Sequence, residues 1–141
     1  MHDANVALEA LPVAVYMTDP DGHITYFNEA AAELWGQAPE LGSRWCGSWR
    51  LYWSDGRPMA HDECPMAVTL REGRPVRGVE AILEKPDGRR VRFMPYPSPL
   101  RDETGRVTGA INLLMDLNVL FQPFFHELPC CLHPVRGCDF G

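Results

Sequence analysis

Val13-Ala14-Val15-Tyr16-Met17-Thr18, Asp19-Pro20-Asp21-Gly22, His23-Ile24-Thr25-Tyr26-Phe27 and Asn28-Glu29-Ala30-Ala31 follow one another without a break. The first block is rich in strand formers, and Asp-Pro-Asp-Gly supplies the turn that lets residues 23–27 pair back antiparallel. Asn28 is an N-cap type, and Glu29 to Trp35 consists mostly of helix formers before Gly36 stops the run. A hairpin therefore feeds a short helix. Upstream, Asp3 can cap a helix with Val6, Ala7 and Leu11 on one face, ended by Pro12.

Downstream, residues 37–61 read as irregular, yet Trp45, Trp49, Tyr52 and Trp53 are too many rings for a solvated loop and must cover something. Asp62 or Glu63 can cap a second helix with Pro65 in its first turn and Met66, Ala67 and Leu70 facing inward. Three strands follow. Residues 78–84 meet 90–96 across Pro86-Asp87-Gly88, and a turn at 100–105 leads into a long strand over 106–115. Two strands, helices and three strands can close only as a single antiparallel sheet of five strands with the short helices on one face, an α+β fold.

A period of two assigns the faces. Val79, Ala81 and Leu83 separate from Glu80, Ile82 and Glu84, and Val91, Phe93 and Pro95 from Arg90, Arg92 and Met94. Ala110, Asn112 and Leu114 separate from Ile111, Leu113 and Met115. Phe93 and Leu114 are expected inaccessible, Arg92 and Glu84 exposed. Asn112 is the polar member of an apolar inner row, and a buried amide needs partners, from the protein or from a ligand. The outer set Ile82, Met94, Ile111, Leu113 and Met115 is too apolar for a wet face. With Val6 of the N-terminal helix, Ile82, Met94, Ile111 and Leu113 form the expected interface of a homodimer.

The chain's 141 residues give one domain, organised as a helix over 1–12, a folded unit over 13–117 and an irregular tail over 118–141. Its hydrophobic fraction of 45% and charged fraction of 23% suit a packed core. Thirteen basic against nineteen acidic residues give a charge of −6. No basic run offers a line of phosphates its counter-charge, which argues against nucleic acid as a partner. Apolar stretches stop far short of the roughly 20 residues that cross a bilayer. No secretory leader pattern opens the sequence, and five cysteines without a regular framework suit reduced thiols, so the expected setting is the cytoplasm, with no membrane partner.

Taken in order, Leu11 to Gly22, Ile24 to Ala31, the Pro86-Asp87-Gly88 hairpin and Pro99 to Ala110 ending at Asp116 resemble the PAS sensory domain. Asp62-Glu63-Cys64-Pro65-Met66-Ala67 looks like the PAS domains at the front of bacterial sensor histidine kinases, in two-component systems. The resemblance implies a sheet and helices that enclose a small-molecule or cofactor pocket, dimerisation through the outer sheet face, and a signal that leaves at the end of the last strand. Asp116-Leu117-Asn118 stands where the family often has Asp-Ile-Thr. A kinase or other output domain is an expected partner, and none follows in these residues.

On this reading the pocket lining is Tyr16 from the first strand, Leu34, Met66 and Leu70 from the helices, and Leu83, Phe93, Asn112 and Leu114 from the last three strands. That lining suits a small, partly hydrophobic ligand whose identity is not legible. Flavin is disfavoured because Trp45-Cys46-Gly47-Ser48 does not match the Asn-Cys-Arg-Phe-Leu-Gln signature of flavin-binding light sensors, and Cys64 reads as a small apolar residue at a helix start. Haem is disfavoured because His61, the nearest candidate ligand, reads as solvent-facing.

Two alternatives compete with a ligand sensor that has no catalysis of its own. One is a purely structural dimerisation domain whose core is filled. The other is a zinc-dependent deaminase-like hydrolase, since His61-Asp62-Glu63 with Pro129-Cys130-Cys131-Leu132-His133 imitates H-x-E and P-C-x-x-C. The second motif ends in His where Cys is required, and the halves lie across a strand hairpin. Cys130, Cys131, His133 and Cys138 are also thiol and imidazole candidates for zinc, but adjacent cysteines chelate poorly together and no metal site is assigned.

Overall fold

A computed structural model of the protein describes residues 7–118. Residues 7–10 are helical. The elements that follow are β1 (Ala14–Thr18), β2 (Ile24–Phe27), α1 (Glu29–Trp35), β3 (Arg50–Trp53), β4 (Pro58–Met59), α2 (Pro65–Glu72), β5 (Ala81–Glu84), β6 (Arg90–Arg101) and β7 (Val107–Asp116). Val6 and the cysteines and histidine of residues 130–138 lie outside the described residues.

The strands form one antiparallel sheet in the order β2-β1-β7-β6-β5-β3-β4. The expectation of five strands is corrected to seven. The five anticipated strands form the centre, and β3 and β4 extend the sheet beyond β5. They were illegible because β3 has four residues and β4 two, too short for alternation to emerge from the surrounding Pro, Gly and Ser. Pro58 fits the outermost strand, where a missing backbone donor costs no ladder bond.

Strand β6 continues five residues past the expected end at Tyr96, through Pro97 and Pro99. Prolines at 95, 97 and 99 turn their donor-less nitrogens to the same side, away from β7. That side lies beyond the last β5 pair, Ala81 with Phe93, so no ladder is broken. The Pro97 carbonyl instead accepts from Val76 N at 3.3 Å and Arg77 Nη1 at 2.8 Å.

Helix α1 begins at Asn28, whose Oδ1 accepts from Ala31 N at 2.9 Å, and ends at Gly36, in the left-handed region at φ 78°. Helix α2 departs from expectation. Its N-cap is Cys64, not Asp62 or Glu63, and no side chain caps it. Residues His61–Glu63 form a separate 3₁₀ turn in which Glu63 Oε1 accepts from Ala60 N at 2.9 Å. Pro65, with no N–H to satisfy, starts the helix in place of a capping hydroxyl.

The faces follow the alternation. Phe93 (5% exposed), Leu114 (4%), Ala81, Leu83, Ala110 and Asn112 are buried, and Arg92 is exposed. Glu84 is corrected: its side chain is only 13% accessible, because Tyr52 Oη donates to it at 2.7 Å and Arg90 lies beside it at 3.3 Å. Strand β3, absent from the expectation, brings that tyrosine. On the outer face Ile82, Met94, Ile111, Leu113 and Met115 are all half-buried.

Candidate functional site

Between the inner sheet face and the helices lies a cavity lined by Tyr16, Trp35, Cys46, Ser48, Leu51, Met59, Cys64, Pro65, Met66, Phe93, Pro95, Asn112 and Leu114. The space open to the centre of a water-sized sphere is about 20 Å³. That is room for about one water molecule. Trp35 is the main reason. It is wholly buried, meets the Tyr16 ring edge-on at 5.2 Å and packs at 6.0 Å from Phe27. Its other flank rests on Gly47, where a Cβ would stand 2.5 Å from the indole, so only glycine allows this approach.

One corner of the cavity is polar. Asn112 Oδ1 accepts from Tyr96 N at 3.0 Å, and Asn112 Nδ2 donates to Tyr16 Oη at 3.4 Å. The Tyr16 hydroxyl donates onward to the Trp45 carbonyl at 2.8 Å. Burial, first, holds the Tyr16 phenol well above its ordinary pKa, so it stays protonated and a donor. Among the described residues the Asn112 Nδ2, which can donate twice, has the Tyr16 hydroxyl as its one protein acceptor, and Asn112 lines the cavity.

The carbonyl that Tyr16 holds belongs to an unusual turn. Trp45 has φ 75°, and Cys46 N donates to Arg44 O at 3.0 Å across it, which makes a γ-turn of the rare left-handed kind. Such a conformation costs about 1–3 kcal/mol and persists only where its surroundings hold it. Here Trp45 N donates to Gly22 O at 2.7 Å, the Trp45 ring covers Gly22, and the Arg44 guanidinium sits 4.6 Å from the ring centre. Trp45 thus covers part of the first hairpin, as a ring in this segment must. Trp49 does not: it is 39% exposed, with Arg50 stacked at 4.2 Å.

The γ-turn delivers Cys46 to the cavity wall, which Cys64 also lines. Both thiols are free. Interaction with the neighbouring Cys64 thiol, the electrostatic influence of His61 and interaction with Ser48 outweigh burial and lower the Cys46 thiol to about 6. The neighbouring Cys46 thiol, together with burial, pushes Cys64 up. His61 is not solvent-facing as expected but half-buried, with Nε2 2.9 Å from the Ser48 carbonyl.

Of the eight expected pocket residues, Tyr16, Met66, Phe93, Asn112 and Leu114 line this cavity, whereas Leu34, Leu70 and Leu83 do not. Leu83 is fully buried within the core, and Leu70 is half-buried against it. Leu34 instead borders an open groove with Pro12, Val13, Ala30, Glu33, Lys85 and Asp116. Inward orientation is necessary for lining a cavity and does not suffice. Trp35, Cys46, Ser48, Leu51, Met59, Cys64, Pro65 and Pro95 were not anticipated in the lining. A small exposed cluster of Asp19, Asp21 and His23 lies elsewhere, and Asp19 Oδ1 there accepts from Asp21 N and His23 N to build the hairpin turn.

The fit of a flavin or haem can be judged from the same geometry. A space of about 20 Å³ filled from one side by Trp35 and Tyr16 does not accommodate a fused ring system. These residues do not fit either group.

The sequence profile described as PAS domain matches residues 12–118. Among solved structures the fold is similar to an RNA-binding light-oxygen-voltage receptor, at TM-score 0.60 and 23% identity, covering 82% of this chain and 33% of that one. The chain thus spans about a third of that receptor's length. It is also similar to the PAS domain of the fruit-fly ELK potassium channel (TM-score 0.62, 12% identity, 82% and 95% covered). A third likeness is to the light-state dimer of the fungal blue-light photoreceptor Vivid (TM-score 0.57, 22% identity, 74% and 78% covered). Comparison with curated proteins finds no match.

Proposed function

Because this chain belongs to the PAS domain family, we propose that it is a sensory module without catalysis of its own, which receives a small molecule at the Asn112–Tyr16 corner and passes the change along β7 to an output partner such as a kinase. The observation that carries this reading is the Asn112 amide, buried at 2% exposure in the lining of a water-sized space, with one protein acceptor for the two hydrogens of Nδ2. Asn112 lies on β7, and β7 pairs with both β1 and β6. A guest that engages the amide bears on an interior strand of the sheet, which ends at Asp116. The space limits the guest to a few heavy atoms unless Trp35 or Met66 moves.

Native mass spectrometry of the purified protein, with an absorption spectrum, tests this reading. A bound small species that is lost in Asn112→Leu is expected, with no flavin or haem band. A protein seen only at its chain mass, and not stabilised by any small polar-apolar ligand in a thermal-shift panel, would leave the filled-core dimerisation domain in its place. The zinc hydrolase alternative draws no support from His61 and Glu63, which are engaged with Ser48 O and Ala60 N.

We also propose a homodimer through the outer sheet face. The half-buried set Ile82, Met94, Ile111, Leu113 and Met115 supports it. Sedimentation at micromolar concentration should give a dimer, and Ile111→Glu or Leu113→Glu should convert it to monomer, because a carboxylate there would be desolvated in the interface. A monomer in both the parent and the variants counts against it. Among the described residues no helix is long and apolar enough to cross a membrane.

A further inference from the structure

The cavity wall holds two sulfurs that the ligand reading does not use. Cys46 is half-buried, Cys64 is 4% exposed, and both line the same cavity of about 20 Å³. They come from separate elements, the γ-turn at Trp45 and the N-cap of α2. A backbone conformation that costs stability is used to present Cys46, and a helix start that serine, threonine or aspartate would cap better carries Cys64.

We propose that Cys46 and Cys64 are a reversible dithiol–disulfide couple, so that this domain also takes a hydroperoxide as an input. The asymmetry of the pair assigns the roles. Cys46 is the more accessible residue of the two and its thiol pKa is lowered, which makes it the attacking group, while Cys64, at 4% exposure and with its thiol pushed up, is the resolving one. In the first step the Cys46 sulfur attacks the terminal oxygen of the hydroperoxide. An S–O bond forms, the O–O bond breaks, and the alcohol or water leaves with a proton. In the second, the Cys64 sulfur attacks the Cys46 sulfenic acid, the S–O bond breaks, and hydroxide leaves with the Cys64 proton as water. Two thiols and one hydroperoxide become one disulfide, one alcohol or water, and one water; the sulfurs lose the two electrons that the peroxide gains. A small dithiol reverses the change by exchange.

The consequence for the fold is local. Joining the two sulfurs across the cavity wall by a covalent bond pulls the γ-turn toward α2, and the Trp45 carbonyl is the acceptor of Tyr16 Oη. The oxidation state is thereby felt at Tyr16 and, through it, at Asn112 on β7.

The test uses the full chain, treated with hydrogen peroxide, alkylated and digested with trypsin. Peptides 45–50 and 51–71, which carry Cys46 and Cys64, should be recovered joined and lighter by two hydrogens, and dithiothreitol should restore both as alkylated thiols. Before oxidation, iodoacetamide at pH 7 should label Cys46 about tenfold faster than Cys64. Cys64→Ser keeps a good N-cap residue and should stop the reaction at a Cys46 sulfenic acid that dimedone traps. Cys46→Ser should leave Cys64 reduced. A variant with Cys130, Cys131 and Cys138 all changed to serine should still form the joined peptide. Separately alkylated Cys46 and Cys64 after peroxide, or cross-links only to cysteines of the tail, overturn the proposal. Neither result depends on whether the cavity holds a small ligand.

Discussion

Asn28→Ala should destabilise the protein by about 3 kcal/mol, seen as a fall of roughly 10 °C or more in the thermal midpoint and a lower urea midpoint at unchanged slope. The side chain is fully buried and uses all of its hydrogen-bonding capacity. Oδ1 accepts from Val15 N at 3.0 Å and Ala31 N at 2.9 Å, and Nδ2 donates to Leu8 O and Val13 O, each at 2.9 Å. One amide therefore joins the N-terminal helical segment, β1 and the first turn of α1. Truncation strips the amide from Val15 N and Val13 O and weakens the bonding of Ala31 N and Leu8 O, which keep only Asn28 O at 3.1 Å and Leu11 N at 3.2 Å, where an ordinary surface N-cap would lose one bond of about 1 kcal/mol.

Asn28→Asp separates capping from this wider role. The aspartate retains the acceptor for Val15 and Ala31, but its second oxygen would face two carbonyls. The folded state must then hold the carboxyl protonated, so its pKa is raised over the unfolded value of about 3.9. Protons are bound more tightly by the folded form, and the penalty relative to the parent is smallest below about pH 4 and grows as pH rises above it. An aspartate variant as stable as the parent at pH 7 would show that the amide donors contribute nothing.

Much of this architecture is legible in the sequence wherever a regular period or a turn motif exists. Asn28 reads as a cap from its place between a strand and an Ala-rich run, and Phe93, Leu114 and Asn112 read as inward from alternation alone. The partners of Asn28 beyond its own helix are not legible, because Leu8 and Val13 reach it only when the chain closes. The cavity's other half comes from residues 37–61, where the backbone has no period. Cys46 points inward because a left-handed Trp45 turns it there, and a tryptophan carries no local signal for that conformation. Leu34, Leu70 and Leu83 mark the opposite limit. Alternation and helical spacing place them on the inner side, but whether an inward residue meets a void or a neighbour depends on volumes contributed by distant elements.

Trp35→Ala should carry the largest cost of any substitution considered, about 3–5 kcal/mol, the range for truncating a buried large aromatic. The indole is wholly buried, edge-on to Tyr16, beside Phe27 and stacked against Gly47. Glycine at 47 cannot move a side chain into the vacated space, so the wall collapses only partly and the void persists. That void adjoins the present space of about 20 Å³, and the variant should acquire what the parent lacks, room for a planar ring. Indole added to the variant should recover part of the loss, about 2.7 kcal/mol when its concentration reaches 100 times its dissociation constant. The parent should be unaffected at the same concentration, because its own Trp35 occupies the position. Denaturation midpoints of both proteins with and without indole decide the matter. Equal stabilisation of parent and variant, or a loss under about 1 kcal/mol on truncation, would mean that Trp35 is not what sets the size of this cavity.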